Sequence, residues 1–267
     1  MALSTFCCGT FFVNRFDMAL TSILITGASS GIGAALAKFY AAPGRHLALW
    51  GRDEARLAAV AADCRERGAT TATASFDITN FDRFVTELEQ ADAVAPIDLA
   101  IFNAGLGGSL PPDCIGQNPY AAKNMAGVNF TAPAIGGNLL GDHMAKRGSG
   151  HIVFISSVAA AFPLPMAPLY SGSKAGLTMF ADALALRLKR HGVAVTLVSP
   201  GFIDTPMSRG LTEPQPFRID ADRAVATIAR KIARKARHVV LPWQFAMILA
   251  ASKFVPGFVV RAVLSLL

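Results

Sequence analysis

The chain has 267 residues, of which 52% are hydrophobic and 16% charged, and a net charge of +7. Such a length supports one substantial core, and such a composition excludes a disordered chain. The charge is local: residues 1–206 carry 15 Lys and Arg against 15 Asp and Glu, whereas residues 207–267 carry 10 against 3. With no zinc finger, aromatic RNA-reading pattern or basic tail beside it, the excess does not point to nucleic acid.

Cys7, Cys8, Cys64 and Cys114 show neither paired nor zinc-ligand spacing, and the five histidines are scattered, so a reducing, cytoplasmic setting without a metal site is expected. Residues 1–17 lack the basic start of a secretory signal and read as a loose extension ahead of Met18. Ser22–Thr26 is a short apolar run closed by a glycine-rich turn, which reads as a buried strand, and helical periodicity follows as far as Pro43-Gly44. His46–Trp50 is a second strand, followed by a helix over Asp53–Arg67 with Asp53 as its cap. Thr70–Phe76, Ile97–Phe102, His151–Ser156 and Val193–Ser199 are further strands, with helices over about 80–91, 116–144 and 169–190 between them. Strand–helix alternation requires parallel crossovers, so the expected fold class is α/β: a doubly wound parallel sheet with helices on both faces, in a single domain.

In such a sheet, ligands bind outside the carboxyl ends of the strands. The run Thr26-Gly27-Ala28-Ser29-Ser30-Gly31-Ile32-Gly33 leaves the first strand and opens the first helix, where a turn of small residues and a helix N-terminus suit a pyrophosphate. The second strand ends in Trp50-Gly51-Arg52 rather than in a carboxylate, and Arg52 can pair with a 2′-phosphate. NADP(H) is therefore the expected cofactor, with NAD(H) second. Asn103-Ala104-Gly105 follows a strand, Ser156-Ser157 ends another, and Tyr170-Ser171-Gly172-Ser173-Lys174 begins a helix, which puts Tyr170 and Lys174 one turn apart on the same face.

Taken in order, these segments resemble the short-chain dehydrogenase/reductase family along residues 22–206, including the separation of Ser157 from Tyr170 and the segment Ser199-Pro200-Gly201-Phe202-Ile203-Asp204-Thr205. The resemblance implies a Rossmann-like three-layer α/β/α domain over residues 18–242, with the catalytic set Asn129, Ser157, Tyr170 and Lys174. It implies cofactor contacts from Gly27, Ser29, Ser30, Gly31, Ile32, Gly33, Arg52, Asp77, Ile78, Asn103, Ala104, Gly105, Tyr170, Lys174, Pro200, Gly201, Ile203 and Thr205. Asp77 reads equally as a helix cap. Tyr170 would exchange a proton with a substrate oxygen, its phenol made more acidic by Lys174 and the oxidised nicotinamide; Ser157 would hydrogen-bond the same oxygen. By the same resemblance Lys174 binds the nicotinamide ribose, Asn129 holds a relay water, residues 202–220 form a mobile lid, and the chain forms a homodimer or homotetramer through the helices over 116–144 and 169–190.

Beyond that, Asp222–Arg237 is an amphipathic helix with a basic face, and residues 243–267 form an apolar helical extension interrupted by Lys253, Pro256-Gly257 and Arg261. Three roles stay open for this extension: covering a sheet edge or subunit interface, walling an apolar substrate pocket, or resting on an anionic membrane surface, peripheral to its inner face. The expected activity is reduction of a hydrophobic or lipid-like ketone, including a 3-oxoacyl type, or the reverse alcohol oxidation. The alternative is a cofactor-binding redox sensor or scaffold without turnover.

Overall fold

The computed structural model describes residues 20–110, 114–211 and 214–265. The N-terminal extension expected over residues 1–17 lies outside them. In chain order the elements are β1 (Ser22–Thr26), α1 (Gly31–Tyr40), β2 (His46–Gly51), α2 (Glu54–Glu66), β3 (Thr70–Ser75), α3 (Phe81–Val94), β4 (Leu99–Phe102), α4 (Pro119–Ala126), α5 (Ala132–Arg147), β5 (Gly150–Ile155) and α6 (Pro168–Leu188). They continue with β6 (Val193–Pro200), β7 (Ile203–Asp204), α7 (Pro206–Arg209), β8 (Ile219–Asp220), α8 (Ala221–Ala233), β9 (His238–Leu241), α9 (Trp243–Ser252) and α10 (Gly257–Leu264). Seven parallel strands form one sheet in the order β3-β2-β1-β4-β5-β6-β9, and β7 pairs with β8 separately.

Successive strand residues point to opposite faces, which is why apolar runs rather than alternating ones build this sheet. Ile23 and Ile25 of β1 join Leu36, Leu57, Val225 and Ile228 in a core beneath α1, α2 and α8. Leu24, between them, joins Phe84, Phe102, Leu140 and Leu184 beneath α3, α5 and α6. The expected three-layer α/β/α domain is therefore the one observed.

Three expectations need correction. The helix expected over 222–237 ends at Ala233: Lys235 takes a left-handed φ of 51°, and Lys235 and Ala236 return hydrogen bonds to the carbonyls of Ile232 and Lys231. The next residues make β9, a strand missed because it is short and opens on a polar His238; only its register against β6 (Leu197↔His238 to Pro200↔Leu241) reveals it. The helix expected over 116–144 is divided by a π-helical turn at Gly127–Thr131. Pro133 has no N–H to give the carbonyl of Asn129 one turn back, so an uninterrupted α-helical ladder cannot cross this point.

After the turn, α5 lies very close to the sheet. A Cβ on Gly136 would fall 2.5 Å from the Phe102 ring, and one on Gly137 would fall 2.6 Å from the Phe154 ring. Those two rings stack with centroids 5.4 Å apart, so small residues let the helix rest on them.

At the start of β5, His151 is buried and bonds Thr196 Oγ1 through Nε2 at 2.8 Å, while Thr196 donates its own proton to the carbonyl of Ala236 at 2.6 Å. His151 therefore carries its proton on Nε2. Burial, with a smaller contribution from Lys235, lowers its pKa from 6.5 to about 4. The unfolded chain binds the extra proton between those values, so this residue's contribution is present above 6.5 and is lost as pH falls toward 4. Relative to His151→Asn, the wild-type protein should lose roughly 2–3 kcal/mol more stability between about pH 7 and about pH 4.5 in urea titrations. An equal loss in both proteins would refute this account.

Candidate active site

The loops leaving β1 and β4 meet where the strand order reverses. Gly27, with φ of 68°, lies so close to the other loop that a Cβ would stand 2.8 Å from Ala104 Cα. Thr26 Oγ1 accepts from the N–H groups of Asn103 and Ala104 at 3.0 and 3.1 Å, and the Asn103 amide donates to the carbonyls of Thr26 and Gly27 at 3.0 and 3.2 Å. Gly33 fits only as glycine, because a Cβ there would run into the Gly27 carbonyl and the Asn103 amide. Asn103 and Gly33 thus hold the turn in shape from behind. In front, Ser30 caps α1 without a side-chain hydrogen bond, and no acidic residue occupies the first turn. The open N–H groups and the positive end of the helix dipole fit an anionic group such as a dinucleotide pyrophosphate.

Beside this turn, Gly51 ends β2, and a Cβ on it would lie 3.1 Å from the Ser29 side chain. Arg52 is exposed, while Asp53 caps α2 by accepting from Arg56 N at 2.9 Å, as expected. Asp77 does not cap α3; Asn80 does, and Asp77 instead accepts from Thr79 N and Oγ1 at 2.9 and 2.8 Å. Those bonds, with the Arg52 charge as a smaller contribution, hold the Asp77 carboxyl below its ordinary range. Ile78 and Ile203 bury their side chains in the core, and Ile32 packs against it. Gly201, at the end of β6 after Pro200, leaves room for the Phe245 ring. Thr205 caps α7 in a reciprocal pair with Ser208 and lies 3.3 Å from where a Gly31 Cβ would stand, so the lid segment begins against the first turn.

The four residues of the expected catalytic set come from three places in the fold. Ser157 follows β5 and accepts from Ala159 N at 3.1 Å, and its hydroxyl hydrogen-bonds Tyr170. Tyr170 and Lys174 lie one turn apart on α6. The Lys174 ammonium is buried and donates to the Ile155 carbonyl at 2.8 Å. A Cβ on Gly105 would sit 3.4 Å from Lys174 Nζ and 3.5 Å from Asn129 Oδ1, so these two residues converge on the same glycine.

Asn129 is fully buried in the π-helical turn. Its Oδ1 accepts from Leu106 N at 2.7 Å, and its Nδ2 donates to the Leu106 carbonyl at 2.9 Å and to Ser173 Oγ at 3.1 Å. The side chain therefore clamps the loop after β4 to α6. Two positioning residues escaped the sequence reading. Ser173 relays Asn129 to the Tyr170 carbonyl at 2.8 Å, and Ser156 bonds the Lys174 carbonyl at 3.1 Å and Thr178 at 2.9 Å. Serines beside motif residues are too common to signal such roles.

Without the nicotinamide charge that the expectation for Tyr170 included, its phenol is shifted upward, because desolvation disfavours the phenolate more than the Ser157 hydrogen bond favours it. Lys174 is itself lowered from 10.5 to about 8 by burial. Without the positive charge of an oxidised nicotinamide, this site keeps Tyr170 protonated at neutral pH.

Comparison with known proteins places the chain in a family. The short chain dehydrogenase family matches residues 21–216. An uncharacterized oxidoreductase of Myxococcus xanthus is 31% identical over 90% of this chain and 95% of its own. A short-chain dehydrogenase from Sphingobium yanoikuyae, solved in complex with NADPH, superimposes with a TM-score of 0.78 at 28% identity, covering 88% of this chain and 94% of that one. The bulky-bulky ketone specific alcohol dehydrogenase from Comamonas testosteroni gives 0.75 at 27% identity, covering 88% and 92%. The chain is an oxidoreductase that belongs to the short-chain dehydrogenase family.

Proposed function

We propose that this protein uses NADP(H) to reduce a bulky, apolar ketone, with Tyr170 as proton donor. The observation that carries this reading is the convergence of Ser157, Tyr170 and Lys174 beside the open N-terminus of α1. The bound cofactor supplies hydride to the substrate carbon. Tyr170 gives its proton to the substrate oxygen, and Ser157 hydrogen-bonds that oxygen as charge develops on it. The upward shift keeps Tyr170 protonated at neutral pH, the state a proton donor needs. Lys174, anchored to Ile155, offers its remaining N–H groups to ribose hydroxyls and stands ready to replace the proton that Tyr170 gives up. Asn129 ties the loop after β4 to α6 and so keeps Lys174 in register with it.

The cofactor preference rests on the exposed Arg52 beside Gly51 and is supported by the NADPH complex of the Sphingobium relative. The substrate class rests on apolar side chains in the loops around the set. Leu106 adjoins Asn129, Leu110 N bonds the Met166 carbonyl at 2.7 Å, and Met207 of α7 reaches within 3.0 Å of a Gly107 Cβ position. The ketone specificity in the name of the Comamonas enzyme supports the same reading. We also infer a homo-oligomer built on α4 and α6, where Tyr120, Met179 and Leu186 are exposed, with Phe130 of the π-helical turn between them in the chain.

Fluorescence titration with NADPH and NADH tests the cofactor. NADPH should bind more tightly, and Arg52→Ala should weaken it by about 10–100-fold while hardly changing NADH. Equal affinities in the wild-type protein would overturn the preference, and turnover confined to small polar carbonyls would overturn the substrate class.

A further inference from the structure

Past β9 the chain turns apolar side chains outward. One face of α9 is used by the domain: Phe245 is buried against Gly201, with its ring 6.2 Å from Phe202 and 5.7 Å from Phe217. The opposite face leaves Trp243 66% and Met247 61% exposed. The turn into α10 leaves Phe254 89% exposed, and α10, with no buried residue, presents Phe258, Val259 and Val263 to solvent. Isolated exposed apolar residues are ordinary, but two consecutive helices of them call for an occupant.

The charge identifies that occupant. From Arg223 to Leu267 the chain carries eight Lys and Arg and no Asp or Glu, and two of the eight, Lys253 and Arg261, stand within the apolar stretch. We propose that α9 and α10 seat the protein on an anionic bilayer surface. Their rings enter the boundary between headgroups and acyl chains, and Lys253 and Arg261 reach the lipid phosphates and acidic headgroups. A twofold contact between two copies would instead bring both pairs of cations together with no carboxylate on either helix to meet them. Among the described residues no helix is long and apolar enough to cross a membrane, so the contact lies along the surface. This proposal does not depend on the hydride-transfer reading.

The test is co-sedimentation of the full chain with vesicles of phosphatidylcholine alone and of phosphatidylcholine mixed with phosphatidylglycerol. The mixed vesicles should pellet about tenfold more protein at low salt, with most of the excess lost at high salt. The double variants Phe254→Ser/Phe258→Ser and Lys253→Glu/Arg261→Glu should each abolish the excess while keeping the wild-type thermal midpoint and molecular mass. Equal pelleting with both vesicle types, or double variants that bind like the wild type, would overturn the proposal. So would a fall in molecular mass in the Phe variant, which would make this face an interface between copies.

Discussion

Tyr170→Phe is expected to lower reductive turnover by about a thousandfold or more while leaving NADPH affinity within about twofold. The substitution removes one oxygen and keeps the ring, so α6 and its Asn129–Ser173 tie should persist. What disappears is the proton donor at the substrate oxygen, while Ser157 can still hydrogen-bond that oxygen. The loss should therefore fall on kcat rather than on cofactor binding. In the wild-type enzyme, burial keeps the phenol protonated, so reductive kcat/KM should be level through neutrality and fall only on the alkaline side. Stopped-flow single-turnover measurements isolate this step. A variant that keeps wild-type turnover would remove Tyr170 from the chemistry.

Lys174→Met should separate stability from activity. Lys174 is 4% exposed, and burial takes its pKa from 10.5 to about 8. A lowered lysine is a net cost while it is charged in the folded protein: between those two values the unfolded chain binds the extra proton, so wild-type stability rises with pH across that window. The difference between about 8 and 10.5 corresponds to roughly 3 kcal/mol, which the Met variant does not bear. The variant leaves the Ile155 carbonyl without this donor, which offsets part of the gain. The pH dependence is independent of that offset: the variant's advantage should shrink by roughly 2–3 kcal/mol between about pH 7 and about pH 10, measured by urea unfolding at each pH. Turnover should meanwhile drop by about a thousandfold. A constant stability difference across that range would mean that Lys174 is charged at ordinary cost.

The sheet was legible because strands buried on both faces are written as apolar runs, and the glycine-rich turn because β1 and α1 flank it. Residues whose role depends on distant partners were not legible. Thr26 looks like any strand-end threonine until Asn103, 77 residues away, is found bonding to it. Asn129 was located correctly, yet its fully occupied side chain became visible only when the loop at Leu106 was brought beside it. The surroundings of Tyr170 were hidden for a related reason. Sequence showed the lysine one turn away but not the neighbours whose desolvation raises the phenol before cofactor binds. Asp77 and Asn80 are both plausible caps by residue type, and only the backbone path chose between them.

The glycine pair that lets α5 rest on Phe102 and Phe154 has a consequence for the order in which the protein opens and closes. Gly136, Gly137 and Gly141 each cost the helix about 1 kcal/mol relative to alanine, so α5 has little stability of its own. It is helical because it is docked. Its amides in mid-helix should therefore exchange with solvent not by fraying but in a cooperative event that uncovers Leu140, Met144 and both aromatic rings at once. Because Asn129 sits directly ahead of this helix, any excursion that releases α5 also releases the clamp on the active-site loop, coupling the slow breathing of the core to the integrity of the site.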